Sequence, residues 1–187
     1  MKLIVLPHNS FDEDMRTIGL DDDNVESSSM AFISIIGTRE CLEYYLNEGN
    51  TRHYFKDHPN VLNLEFDDLN CNVLYDGHLF KTMTIEQAEK TVDFIERMIE
   101  NGVDVIEGHC RAGLSRSRAV FEFIYRYCIE NGIKVSYEDR DKYIDILNHN
   151  VLRLLNHAYL KKHSIGGYDE YPSDITSPKV EIITKEE

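Results

Sequence analysis

The chain lacks any long apolar run: no stretch approaches the roughly 20 residues that a membrane-spanning helix needs. Residues 1–8 contain only a short apolar run, Leu-Ile-Val-Leu, which is too brief for a secretory signal peptide. These absences lead us to expect a cytoplasmic protein that has no membrane partner.

Cysteine is scarce, and the four cysteines include no C-x-x-C pair, which disfavours a structural zinc site. A cytoplasmic setting also disfavours disulfides. Cys41 and Cys128 lie in helical patterns and are predicted to be core or half-buried thiols. Cys71 could act as a redox partner of Cys110, although nothing in the sequence requires it.

Positive charge is also scarce: 20 lysines and arginines stand against 34 acidic residues, giving a formal net charge of −14. Such a charge repels a phosphate backbone and argues against nucleic-acid binding. One local exception is therefore informative, because Arg111, Arg116 and Arg118 lie close together. They form either a basic patch at a helix start, which the helix dipole disfavours, or a pocket for an anion, which we favour.

The hydrophobic pattern predicts an α/β protein whose central, mostly parallel sheet is flanked by helices. Strands are predicted at 2–6, 31–36, 61–66 and 103–108. Helices are predicted at 39–47, 84–102 and 118–131, with one or two more within 137–163. The first helical turn after residue 83 carries a capping box, Thr84-x-x-Gln87. Segments 9–29 and 69–82 are expected to be loops, the first with at most one short helical turn.

The length suits one domain with a proper core, and we find no internal repeat and no linker that would divide it. Residues 1–165 are predicted to form this domain. Residues 166–187 are predicted to form a C-terminal tail that is extended or partly ordered.

The most informative segment is 109–117, His-Cys-Arg-Ala-Gly-Leu-Ser-Arg-Ser. It lies between the apolar run 103–108 and a helical pattern, and therefore forms a loop from a buried strand to a helix N-terminus. Backbone N–H groups at such a position bind oxyanions, and a cysteine there loses its proton easily. The loop offers a thiolate and an anion cradle together, which suggests a phosphate-transferring nucleophile.

The positions of this loop have separate predicted roles. Cys110 would be the nucleophile, and the planar guanidinium of Arg116 could bind two phosphate oxygens at once. Gly113 lets the backbone curl so that successive N–H groups point inward. The Ser117 hydroxyl could donate to the Cys110 sulfur, the alternative being a plain helix N-cap, and His109 is expected to be structural. The predicted phosphate-binding residues are Arg111, Ala112, Gly113, Leu114, Ser115 and Arg116.

The string His109-Cys110-x-x-Gly113-x-x-Arg116-Ser117 resembles the signature of the cysteine-dependent protein tyrosine phosphatases at every fixed position. Residues 112–117 look most like the compact dual-specificity branch, and the resemblance covers 31–158. It implies a phosphatase-type three-layer fold and a catalytic domain that needs neither a metal nor another cofactor. The implied reaction is hydrolysis of phosphotyrosine, and often of phosphoserine or phosphothreonine, in a protein or peptide substrate through a phosphocysteine intermediate.

The resemblance also implies a general acid, an aspartate in a loop just after an upstream strand. Asp68 directly follows the predicted strand 61–66 within a Phe-Asp-Asp string, and we favour it over Asp67 and Asp76. The spacing of Asp76 to the cysteine fits the family better, but Asp76-Gly77 has the composition of a turn. Residues 70–82 are then expected to form an insertion beside the pocket.

Two further features bear on the branch of the family. The chain has no tryptophan, so it lacks the tryptophan that hinges the acid loop in the large tyrosine-specific phosphatases. This absence favours the compact class. Asn150 resembles the asparagine that starts the last helix in dual-specificity members, the alternative being a polar residue inside a helix.

Three other functions compete. A rhodanese-like sulfurtransferase also uses a loop cysteine but forms a persulfide, and it does not need an Arg-Ser pair at this offset. An inert phosphate-binding pseudophosphatase is disfavoured by the intact Cys110 and Arg116. A phosphatase acting on a phosphoinositide or an RNA 5′ end is disfavoured by the absence of lysine from the loop and by the net negative charge.

Overall fold

The computed structural model describes residues 1–38, 52–167 and 179–183. The strands are β1 (Lys2–Pro7), β2 (Met30–Ile36), β3 (Val61–Glu65), β4 (Asn72–Tyr75), β5 (His78–Phe80), β6 (Val105–Cys110), β7 (Ser136–Tyr137) and β8 (Val180–Ile183). The helices are α1 (His8–Ile18), α2 (Ile85–Glu100), α3 (Arg116–Glu130) and α4 (His149–Lys162). Among the described residues, no helix combines the length and apolar character needed to cross a membrane.

The main sheet has the strand order β3-β2-β6-β1-β7, and all of its pairings are parallel. Alternate side chains of each strand face opposite sides. On one side, β2 and β3 pack against α2, α3 and α4 through residues such as Ile33, Leu64 and Phe121. On the other side, Phe32 packs against Phe11 of α1. The α/β class with a central parallel sheet between helices is thereby confirmed.

The expectation of a loop over 9–29 is wrong at its start, because residues 8–18 form helix α1. Phe11 and Met15 lie one helical turn apart and are fully buried against the sheet. The helix ends at Gly19, whose φ of 74° closes it in the left-handed conformation. Burial of these two apolar side chains therefore outweighs the polar composition of the segment.

The loop expected between Asp68 and Thr84 is also wrong, because β4 and β5 form an antiparallel hairpin there. Asp76 and Gly77 make the two-residue turn with φ of 50° and 79°, so the predicted turn is confirmed. Strand β8 then pairs with β4 in parallel, which builds a second, small sheet from the hairpin and the C-terminal segment.

Other boundaries differ by a few residues. The capping box of α2 is present, with Thr84 and Gln87 bonded reciprocally. The strand expected at 103–108 runs from 105 to 110, and the helix expected from 118 begins at Arg116. The predicted helix 39–47, which includes Cys41, lies outside the described residues. Cys128 is buried, as predicted.

Glu107 is buried in the middle of β6, on the same side of the sheet as α1. Burial and the neighbouring Asp14 carboxylate raise the pKa of Glu107 to about 8. The pKa of a glutamate in an unfolded chain is about 4.3. Between this pH and the pKa of Glu107 in the folded chain, the folded chain holds a proton that the unfolded chain releases. Stability should therefore fall as the pH rises through this window.

Glu107→Gln is expected to raise the free energy of unfolding on the order of 2 kcal/mol at about pH 8, and little at about pH 4. The amide keeps the shape of the side chain and carries no charge to bury. Urea unfolding at the two pH values measures the difference. Glu130→Gln, at an exposed position, serves as the control. An equal effect of Glu107→Gln at both pH values would contradict this account.

Candidate active site

The segment between β6 and α3 forms a tight loop, residues 111–115, at the carboxyl edge of the main sheet. Its curl depends on Gly113, which is buried and has a φ of 67°. A Cβ atom there would lie 2.6 Å from the carbonyl carbon of Leu6 and 2.7 Å from Pro7 N. Glycine is thus required both by the left-handed conformation and by the close approach of β1.

Cys110 is the last residue of β6, and its side chain is buried beneath this loop. Burial by itself would raise the pKa of the Cys110 thiol. The positive charge of Arg116, a hydrogen bond from the Ser117 hydroxyl and backbone N–H donors at Ser117 and Leu114 outweigh burial and lower that pKa. The Ser117 Oγ–Cys110 Sγ distance is 3.1 Å. Cys110 is therefore surrounded by groups that stabilise a thiolate.

Arg116 opens helix α3, and its side chain is 7% exposed. Its Nη1 donates to the carbonyl oxygen of Phe66 at 2.7 Å, which anchors the guanidinium at the residue following β3. Within the described part of the chain, the buried Arg116 Nε has no hydrogen-bond partner. An unsatisfied donor on a buried cation is costly, and a bound anion would satisfy it.

Asp68 contacts the loop directly. Its Oδ1 accepts hydrogen bonds from Ser115 Oγ and Asn148 Nδ2, both at 2.8 Å. Asn148 is the N-cap of α4, since its own Oδ1 accepts from Val151 N. One carboxylate oxygen of Asp68 is thus held between the loop and a helix start, although the residue itself is exposed.

Asp67 and Asp76, the other two acid candidates, occupy different surroundings. Asp67 is buried, and its carboxylate accepts hydrogen bonds from Thr38 N, Thr38 Oγ1 and Lys81 N. It joins the segments that follow β2 and β5. Asp76 lies in the turn of the β4–β5 hairpin. The three aspartates therefore differ in position. Asp68 is joined to the loop through the hydrogen bond that it accepts from Ser115.

His109 faces away from Cys110, on the α1 side of the sheet. Burial, assisted by the rings of His8 and His53, lowers the pKa of His109 to about 3, so the ring is neutral. Its Nε2 lies 2.8 Å from Ser34 Oγ, which is itself 2.6 Å from His53 Nδ1. This hydrogen-bond network braces β6 against β2, as a structural histidine would.

The three clustered arginines have different environments. Arg116 is buried next to Cys110, whereas Arg111 is exposed. Arg118 lies behind the loop, where its Nε donates to the carbonyl oxygen of Gly113 at 3.0 Å. The interpretation of all three as one anion pocket is therefore wrong for Arg118, whose side chain binds the backbone of the loop.

The interpretation of Asn150 as the residue that starts the last helix is wrong, and its alternative, a polar residue inside the helix, is correct. Asn148 caps α4 and contacts Asp68, whereas Asn150 lies in the first helical turn and donates to Thr82 Oγ1 at 2.8 Å. The signal for Asn148 is its position three residues before Val151, the first of the apolar positions 151, 154, 155 and 158, where asparagine is a preferred cap. Ser117 is the second residue of α3, so the alternative of Ser117 as the N-cap is also wrong.

No protein-family model matches the chain, and no curated protein matches it either. Among solved structures, it is similar to the human tyrosine phosphatase-like serine/threonine/tyrosine-interacting protein. The two share 19% sequence identity with a TM-score of 0.45, over 86% of this chain and 93% of the other.

Proposed function

We propose that this chain is a cysteine-dependent phosphatase of the compact, dual-specificity type, which hydrolyses phosphate monoesters on proteins. The observation that carries the proposal is the pairing of two buried groups. Cys110 has a lowered thiol pKa, and Arg116 beside it has an Nε donor that no described residue satisfies. A thiolate and an unsatisfied cation within one backbone loop suit an incoming phosphoryl group.

In the first step, the Cys110 thiolate attacks phosphorus, forming the S–P bond as the bond to the substrate oxygen breaks. Arg116 and the backbone N–H groups of the loop, residues 111–116, are proposed to stabilise the charge on the three equatorial oxygens. Asp68, held at the loop by Ser115, gives its proton to the departing oxygen. The products of this step are the dephosphorylated side chain and a phosphocysteine.

In the second step, water attacks the phosphocysteine. The Asp68 carboxylate accepts a proton from this water as the new O–P bond forms. The S–P bond breaks, and the sulfur leaves as a thiolate that accepts the hydrogen bond of the Ser117 hydroxyl. Phosphate is released, and Asp68 is again protonated for the next cycle. Both steps use side chains of this chain and one water.

The proposed substrate is a phosphorylated protein or peptide, with phosphotyrosine as the first choice and phosphoserine or phosphothreonine as further substrates. The loop is accessible to such a ligand, because Arg111 and Leu114 are exposed on it. Arg111 offers a positive charge next to the cradle on a chain that is otherwise acidic. It would attract the phosphate during encounter.

The test is phosphate release from matched phosphotyrosine and phosphothreonine peptides by the purified protein, in the presence of a chelator. We expect turnover of the phosphotyrosine peptide that the chelator does not change. Binding of phosphopeptides without any release would instead identify an inert binding module. Sulfur transfer from thiosulfate to cyanide, without phosphate release, would identify a sulfurtransferase.

A further inference from the structure

Arg118 is a buried cation that the proposed chemistry does not use. It follows Arg116 by two residues on α3, is 7% exposed and turns behind the loop. Its guanidinium packs over the ring of Tyr143 at 4.3 Å and over that of Tyr137 at 5.6 Å. These rings fix the guanidinium with its Nε directed at the carbonyl oxygen of Gly113.

The carbonyl that Arg118 holds belongs to the peptide unit that joins Gly113 to Leu114. The other end of that peptide unit is the Leu114 N–H, one of the backbone donors that lower the pKa of the Cys110 thiol. Because the unit is planar, a group that fixes its oxygen also fixes its N–H. Arg118 and the Cys110 sulfur are therefore linked through one peptide plane.

Gly113 makes this link necessary. A glycine has no Cβ atom to restrict its backbone angles, so Gly113 does not by itself fix the orientation of this peptide plane. A rotation of the Gly113–Leu114 peptide would turn its carbonyl oxygen towards the thiolate and remove the N–H donor. It would also place a partial negative charge where phosphate oxygens are proposed to bind.

We propose that Arg118 is a positioning residue: it fixes the Gly113–Leu114 peptide plane, and so keeps the N–H directed at Cys110 and the nucleophile ionised. The catalytic importance of this rests on the proposed phosphatase function, whereas the effect on the thiol does not. The substitution that removes both the donor and the charge at similar length is Arg118→Met.

The first readout is the rate at which Cys110 is alkylated by iodoacetamide as a function of pH, measured without substrate. We expect Arg118→Met to raise the thiol pKa and to slow alkylation at about pH 6 on the order of tenfold, the equivalent of one pKa unit. The control is Arg140→Met, since Arg140 also stacks on a tyrosine, Tyr125, and bonds the buried Glu122 away from the loop. It should lower thermal stability without changing the thiol titration.

The second readout is the amide resonance of Leu114 in protein labelled with ¹⁵N-leucine. In the unmodified chain this resonance should shift as Cys110 titrates, because its N–H contacts the sulfur. In Arg118→Met the shift should be largely lost. If Cys110 in Arg118→Met titrates as it does in the unmodified chain, by both alkylation and the Leu114 resonance, the positioning role is wrong. If Arg118→Met shows both the raised thiol pKa and the lost Leu114 shift, but the unmodified protein hydrolyses no phosphoester, this inference stands and the proposed function is overturned.

Discussion

Cys110→Ser should abolish hydrolysis, slowing turnover by about 10⁴-fold or more, which is the scale of loss expected when a catalytic nucleophile is removed. A serine hydroxyl in the same loop remains protonated at neutral pH and cannot attack phosphorus as the thiolate does. Arg116 and the backbone N–H groups stay in place. The variant should therefore still bind phosphate and phosphopeptides, which isothermal titration calorimetry can measure.

The matched control is Cys71→Ser. Cys71 is a half-buried thiol that directly precedes β4, and both burial and Glu181 raise the pKa of its thiol. We expect turnover by this variant to equal that of the unmodified chain. The same variant also tests the idea of a redox partnership between Cys71 and Cys110. If the two thiols form such a pair, the activity of Cys71→Ser should recover less well than that of the unmodified chain after treatment with peroxide. Full activity of Cys110→Ser would show that another group is the nucleophile.

Asp68→Asn should slow turnover of a phosphotyrosine peptide by roughly 10²-fold or more, the scale of lost general acid catalysis. The loss should be smaller with p-nitrophenyl phosphate, because nitrophenolate departs readily without a proton. Asparagine can still accept the hydrogen bonds from Ser115 and Asn148, so the loop should keep its shape. The ratio of the two losses thus measures protonation of the leaving group.

The other two aspartates supply contrasting controls. Asp76→Asn should leave both rates unchanged, since asparagine suits the hairpin turn as well as aspartate does. Asp67→Asn should lower stability, because Asp67 accepts three hydrogen bonds that join two segments. If Asp68→Asn turns over the peptide normally and Asp76→Asn does not, the general acid is Asp76.

The sheet and the loop between β6 and α3 were predictable because their signals are local. The apolar runs at 31–36, 61–66 and 103–108 each form a strand within a few residues of the predicted position. The curl at Gly113 and the Ser117–Cys110 hydrogen bond follow from residues within one short segment. A strand followed by a short loop and a helix leaves little freedom for other arrangements.

The parts that sequence reasoning missed depend on contacts between distant residues. Strand β4 is only half buried and pairs with β8, more than a hundred residues later in the chain. Asn148 contacts Asp68, from which it is separated by 80 positions. The role proposed for Arg118 depends on Tyr137 and Tyr143, whose rings pack against its guanidinium. No periodicity within one segment reports such pairings.

The central claim is that phosphate is transferred through the Cys110 sulfur. Its most direct measurement is mass spectrometry of peptides from protein that is mixed with a phosphotyrosine peptide and quenched within one turnover. We predict that a phosphoryl group is found on the peptide containing Cys110, and that it is absent from Cys110→Ser. Turnover with no phosphorylated Cys110, or a phosphoryl group on another residue, would contradict the account.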